Sequence, residues 1–460
     1  MILFILIFLV GYLSIYLISK ESKFFERIFL SMPIGLGFTS LLMFLYNVIV
    51  GAFSSQSIII MNLIFIFILL ALLFWKKDLN KNLIDFNLQK GISQWNFWAI
   101  AFISMTAYLV YGITLKCLYY PPITTDSIQG YDLLAKAIAH EGKILNSILL
   151  DKNMVELCGP RLLYPPLLAC SNALCYIQGM DAPKYINTFF YISWAGAFFT
   201  LLSRLTNVTS AAFFTFMTII IPEMFAHGSF ELTNLPTAYY AVISVLCIML
   251  WYKENIMSYL YLATVLSAFM LWTRNDSIFI FLGIQAALFV YNFKSKNFKS
   301  NIIYGISLLT FITWMFYSKY NVPKTLDSIF INHLFYDSDK LSKVIERCWN
   351  IITTKSLFGI TTQMFLFVLF IHIYAIYKRR DNWFLLTIIF VSLIGYTLVF
   401  YQVDDKDGFL FFENGGWLDS GYKRGLFSYL PMFFIYIALS EYVQKGFNFL
   451  HEKLMFGKEN

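Results

Sequence analysis

Charge is what this chain has least of. Only 13% of its 460 residues are Asp, Glu, Lys or Arg, about half the share usual in soluble domains, so a water-facing globule cannot be its main body. Cysteine is sparse and unpatterned. The six residues Cys117, Cys158, Cys170, Cys175, Cys247 and Cys348 have neither metal-ligand spacing nor a disulfide framework. Three of them, Cys117, Cys158 and Cys348, fall in expected outer segments, where pairing is open but free thiols are the simpler reading. A phosphate-cradling glycine loop, a metal-binding histidine pair and a nucleophile elbow are all missing, which argues against a cytoplasmic nucleotide enzyme. No internal repeat, low-complexity segment or sizeable soluble domain is evident either. Without repeats, a transporter assembled from symmetric halves is disfavoured.

Apolar residues take up the space that charge leaves. The chain is 59% hydrophobic and 19% aromatic, with a mean hydropathy of +0.66. Apolar runs recur at lengths of about 17–22 residues, and a hydrocarbon core needs roughly 20 residues of helix. The expected fold is an all-α integral membrane protein with roughly 11–13 transmembrane helices. Candidate spans cover 2–18, 29–50, 57–75, 98–115, 186–203, 208–222, 236–252, 256–272, 278–293, 302–318, 357–377, 383–402 and 425–440. The first span begins apolar, with no basic region before it, and reads as a retained span with its N-terminus outside.

The net charge of +7 sits mostly in connectors and suggests no nucleic-acid partner. Lys76, Lys77, Lys81 and Lys90 follow the third span. Lys294, Lys296 and Lys299 follow the ninth, and Lys378, Arg379 and Arg380 the eleventh. Threading puts all three clusters on one face, expected to be cytoplasmic by the positive-inside bias. The chain then divides into N-terminal spans (1–116), a long first outer loop (117–185) and central spans (186–318). An outer loop (319–356) and C-terminal spans (357–460) follow, the last interrupted by an outer segment at 403–424.

The first outer loop is the richest in chemistry. Residues 127–139 place Leu133, Leu134, Ala137 and Ile138 at helical spacing, an amphipathic juxtamembrane helix ended by Gly142. Pro121 and Pro122 break the preceding span. Pro165 and Pro166 open a second apolar stretch, 167–177, too short to cross and read as re-entrant or interfacial. Asp126, in T-T-D-S, reads both as an N-cap and as a general base for an acceptor hydroxyl. Asp132 is expected to face away into solvent.

Three further polar breaks reach the same outer face. In 222–236, His227 reads as structural or solvated, whereas Glu231 and Asn234 would share a face on one helical turn. Arg274, Asn275 and Asp276 interrupt two apolar runs, and Arg274 with Asp276 is expected to pair. Lys423 and Arg424 precede the last span, opposite to the usual basic face. A guanidinium there suits a phosphate, with ordinary headgroup contact the competing reading. Arg161 is another cation on that side.

Four short motifs in this order resemble the GT-C class of polytopic glycosyltransferases, which use polyprenyl-phosphate-linked sugars. T-T-D-S-x-x-x-Y-D-L-L-A-K-A-I at 124–138 is similar to that class's first outer loop, and Y-P-P-L at 164–167 to its Y-P-P segment. L-W-T-R-N-D-S at 271–277 resembles its L-x-T-K-N-E-G. W-L-D-S-x-x-x-R at 417–424, followed by Pro431, resembles its last outer loop. The resemblance implies Asp126 as catalytic base, with Glu231 as a second carboxylate. Arg424, aided by Arg161, Arg274 and Lys423, would neutralise the leaving phosphate. Tyr164, Asn234, Asn275, Asp276 and Trp417 would shape the substrate site. The chain departs from the class at Asn234, where an acid is usual. No cofactor is required, although Asp126 with Glu231 could hold a divalent cation. The implied donor is a polyprenyl-phosphate sugar and the acceptor a glycan, lipid or protein hydroxyl, at a bacterial inner membrane with the site facing outward. Competing readings are an O-antigen polymerase or ligase, whose long loop usually comes late in the chain, and a lipid-linked-glycan flippase or transporter, which would want polar residues lining its spans.

Overall fold

A computed structural model describes residues 2–76, 95–120, 124–180, 183, 185–293, 296–323, 337–379, 382–403, 410–411 and 416–453. The expected break at Pro121 and Pro122 lies outside these residues, as do the cations Lys77, Lys81, Lys90, Lys294 and Arg380 and the side chain of Arg379.

Apolar runs in lipid must satisfy their backbone groups internally, and helices are how this chain does so. The described residues are predominantly α-helical and form no sheet. We label α1 (Ile2–Ile18), α2 (Phe24–Ile49), α3 (Ser55–Trp75), α4 (Phe97–Tyr119), α5 (Asp132–Glu141), α6 (Leu167–Ile177), α7 (Tyr185–Leu205), α8 (Val208–Ile219) and α9 (Pro222–His227). Then come α10 (Asn234–Glu254), α11 (Met257–Leu271), α12 (Ile278–Phe293), α13 (Leu308–Asn321), α14 (Ser338–Thr353), α15 (Thr361–Arg379), α16 (Trp383–Tyr401), α17 (Trp417–Leu439) and α18 (Glu441–Lys453). Among the described residues nine helices are long and apolar enough to cross a membrane, or ten if α17 and the sharply bent α18 count together. The remaining expected spans fold as the shorter apolar helices α1, α8 and α11. This is the architecture of a polytopic membrane protein.

Local chemistry explains the boundaries. Asn96 and Asn207 cap α4 and α8 by accepting from Ala99 N (2.9 Å) and Ser210 N (2.8 Å). Pro33 lies inside α2 and leaves the Phe29 carbonyl without its intrahelical donor. Tyr239 of α10 donates to that carbonyl at 3.1 Å, and Tyr240 donates to Pro33 O at 2.6 Å. Helices α1 and α2 meet through Gly11 and Gly35. A Cβ on either would fall within 2 Å of a carbonyl oxygen of the other helix, so only glycine permits this approach.

Burial sorts the spans. In α10, 94% of the apolar window is buried, against 22% in α3. The first forms the bundle's axis, and the second presents Ile60, Phe67 and Phe74 outward. Asn234, the first residue of α10, is thereby anchored at the head of the most enclosed helix.

The outer segments pack on this head. The expected juxtamembrane helix is present but begins with a π-helical turn, Ser127–Tyr131, before α5. Gly142 ends it in the left-handed conformation (φ 65°), and its carbonyl accepts from Phe53 N at 2.8 Å. Helix α6 is a buried 11-residue helix against α2 and α5. Helix α14 is amphipathic, capped by Asp337. Its Arg347 holds Asp419 through two bonds of 2.7 and 2.6 Å. All six cysteines are buried.

Candidate functional site

Asp126 does not cap the helix that follows it; its side chain makes no cap hydrogen bond. Thr124 Oγ1 accepts from Ser127 N at 3.3 Å instead. The Asp126 carboxylate faces α17 and pairs with Arg424, joining residues 298 apart in sequence. The π-helical turn sets this aim, and such turns recur at functional sites. The pair is open to solvent, with Arg424 37% and Asp126 17% exposed.

Arg274 forms the second pole. It lies in the short break between α11 and α12 and is buried. Its Nε and Nη2 donate to Asp276 Oδ1 (2.9 Å) and Oδ2 (2.5 Å), and Nη1 donates to Asn234 Oδ1. Burial works against this charge, but the Asp276 carboxylate outweighs it and holds the guanidinium protonated. The ring of Tyr164 lies under the guanidinium, 5.4 Å from centroid to Cζ. It also stacks on Tyr131 at 6.4 Å. Burial pushes both tyrosine hydroxyls up, so neither serves as a base near neutral pH.

Arg274, Asp276 and Asn234 line one cleft with Arg424, Ser428 and Tyr396. Its interior volume is about 10 Å³, roughly the room of one water. On its flank, α9 carries Glu223 and His227. Glu223 takes His227 Nε2 at 3.3 Å and Lys423 Nζ at 3.8 Å. His227 Nδ1 lies 3.3 Å from Asn234 Nδ2. Burial pushes Glu223 up, but His227, Lys423 and Arg424 more than cancel it, and the carboxyl titrates below its ordinary value. Burial also lowers the pKa of His227 against the pull of Glu223.

Several expectations are corrected here. Glu231 is only 2% exposed and precedes α10, so it shares no helical turn with Asn234. It accepts from Ser127 Oγ, the residue after Asp126, at 2.5 Å. Asp132 is buried, not solvated. It accepts from Tyr176 and from Lys136 Nζ, the latter at 2.8 Å. Of the two readings of His227, structural or solvated, the structure fits the first, since the ring is buried and doubly partnered. Asn275 sits in a half-buried single turn next to Asp276. The side chains of Arg161 and Trp417 lie outside the described residues. Asp126 faces Arg424 while Glu231 faces Ser127. Among the described residues no three His, Cys, Asp or Glu side chains gather as a metal-binding group.

The structure adds residues that the sequence reading did not select. Glu223 and His227 are four apart on a short helix, a spacing that could have marked them as a pair. Tyr396 and Ser428 carry no such signal, because their place in the cleft depends on how α16 and α17 pack. The chain is an integral membrane protein with a buried polar cleft at one end of its bundle. No family model, curated protein or solved structure matches it.

Proposed function

We propose that this cleft transfers a sugar from a polyprenyl-phosphate donor to an acceptor hydroxyl at the outer face of a bacterial inner membrane. The observation that carries the reading is the Asp126–Arg424 pair at a cleft whose other cation is Arg274. A carboxylate and two guanidiniums are groups suited to lipid-phosphate glycosyl transfer. One takes a proton, and the others receive the charge of a leaving phosphate. An apolar groove of about 340 Å³ runs beside the same helix, lined by Tyr422 and Phe433 of α17, Ile345 and Trp349 of α14, and Leu366 of α15. It has the character of a seat for an isoprenoid tail.

With no donor bound, Arg424 is occupied by Asp126. An arriving phosphate diester would take over the guanidinium and free the carboxylate. The acceptor O–H then attacks the anomeric carbon and a new C–O bond forms. The bond from that carbon to the phosphate oxygen breaks, its electron pair leaving with the phosphate toward Arg424 and Arg274. The acceptor proton passes to Asp126. Glu231, bonded to Ser127, would act by holding the turn that aims Asp126.

The test is transfer of radiolabelled sugar from undecaprenyl-phosphate hexoses or pentoses by full-length protein in nanodiscs. Asp126→Asn should lower transfer by roughly 10²–10⁴-fold without altering thermal unfolding. Undiminished transfer would remove Asp126 as the base. Donor binding without any transfer would favour a lipid-linked-glycan carrier.

A further inference from the structure

Between Lys423 and Arg274 runs a continuous polar chain whose donors and acceptors can be assigned one by one. Arginine only donates, so the Asn234 atom facing Arg274 Nη1 must be its carbonyl oxygen. The Asn234 amide nitrogen then faces His227 Nδ1 at 3.3 Å. That nitrogen can donate but not accept, so Nδ1 carries no proton. The ring proton sits on Nε2, which faces Glu223 Oε2 at 3.3 Å. A single arrangement satisfies the whole chain, and it requires a neutral imidazole.

We propose that His227 is the positioning residue of this anion site: unprotonated at Nδ1, it keeps the Asn234 carbonyl on Arg274, and protonation releases that hold. A proton on Nδ1 sets two donors against each other. Flipping the Asn234 amide relieves that clash but places its nitrogen against Arg274, another donor. In the flipped state Arg274 loses its buried Asn234 carbonyl and keeps the Asp276 carboxylate. Bonds to Asp276, Asn234 and the phosphate together suit the five N–H groups of the guanidinium, so the loss reaches the ligand.

Burial, with Lys423 and Arg424 approaching from α17, favours the neutral ring and outweighs Glu223 on the same helix, which favours the charged one. The rings of Phe230 and Phe427 pack at 5.1 and 4.3 Å. Asn234 is the polar contact from α10. Burial lowers the affinity of the ring for a second proton, so the hold persists below the ordinary imidazole value of 6.5 and fails once the ring takes that proton.

That acid sensitivity bears on donor use only if the cleft binds a lipid phosphate, as proposed above. The probe is the methyl diester of undecaprenyl phosphate, whose charge is constant over the range used. Its binding to full-length protein in nanodiscs should weaken by about ten-fold on acidification through the pH at which ¹⁵N spectra of labelled histidine show the His227 ring taking its second proton, the loss of one charge-assisted hydrogen bond. In His227→Asn the side-chain oxygen can stand where Nδ1 was, without titrating. That variant should bind like the parent at the higher pH and stay flat in acid. His227→Gln, which cannot offer Asn234 that acceptor, should bind weakly throughout. A parental acid loss that persists in His227→Asn, or tighter binding in acid, would overturn the assignment. If the diester does not bind at any pH, the donor reading fails and ¹⁵N spectra of labelled histidine judge the positioning role alone. An unprotonated Nδ1 supports it, and a protonated Nδ1 at neutral pH overturns it.

Discussion

The two ends of α10, 21 residues and about 30 Å apart, use the same side chains for opposite purposes. At its Glu254 end, Arg204 of α7 reaches both Glu254 and Glu26, the latter at 3.6 Å. Glu26 also accepts from Tyr259 (2.8 Å) and from Lys23 N (3.0 Å). One guanidinium thus ties α2, α7 and α10 together, and Arg204 is only 11% exposed. At the Asn234 end, three cations and three carboxylates surround a small cleft, with Lys423 and Arg424 both about a third exposed. The first arrangement fastens helices. The second leaves cations where a ligand can reach them. What separates them is not charge but exposure, which in the proposed function lets a partner be exchanged for something from outside.

Mutation should separate the two ends. Arg204→Ala leaves Glu26 buried without its cation and should cost roughly 3–5 kcal/mol, seen as a large fall in the unfolding temperature of the purified protein. Arg424→Ala, at a solvent-screened pair, should cost at most about 1 kcal/mol while abolishing lipid-phosphate binding. Equal effects on stability would erase the distinction between a fastener and a ligand site.

A smaller effect is expected where α14 docks on the last outer segment. A double-mutant cycle on Arg347→Ala and Asp419→Ala should give a coupling of about 1 kcal/mol or less. A coupling near zero would mean that the apolar groove keeps its α14 wall without this pair.

Acid should loosen the cleft end before the fastened end. Glu223 has a lowered pKa, so its stabilising contribution is present above the ordinary carboxylate value of 4.5 and lost as pH falls through the folded value beneath it. His227 is also lowered, so between its folded value and the ordinary 6.5 the unfolded chain binds more protons, and stability declines as pH falls through that window. Both signs agree. Hydrogen exchange should accelerate in α9 on acidification while the Arg204 junction stays protected. Uniform acceleration would contradict this.

How much of this was legible in the sequence follows from the range of each interaction. Apolar runs are local, and each of the thirteen stretches they mark is mostly helical, although α1, α8 and α11 are shorter than spans and the stretches 302–318 and 357–377 are broken by short turns. Gly142 was legible because a left-handed helix end is a local demand. Arg274 and Asp276 were legible as a pair two residues apart. The aim of Asp126 was not, because it depends on a π-helical turn and on an arginine 298 residues away. Glu231 was misplaced for a similar reason: its partner Ser127 lies 104 residues back, and nothing near Glu231 reveals it. His227 looked ordinary until α17 and α10 closed around it.

The exchange of Arg424 between Asp126 and a phosphate is the claim on which the rest depends. Affinity for undecaprenyl phosphate, measured on the full-length protein in nanodiscs, tests it most directly. Removing the competing carboxylate charge with Asp126→Asn should tighten binding by about ten-fold, near 1.4 kcal/mol, and Arg424→Ala should abolish it. Equal affinities for the parent and Asp126→Asn would contradict the exchange.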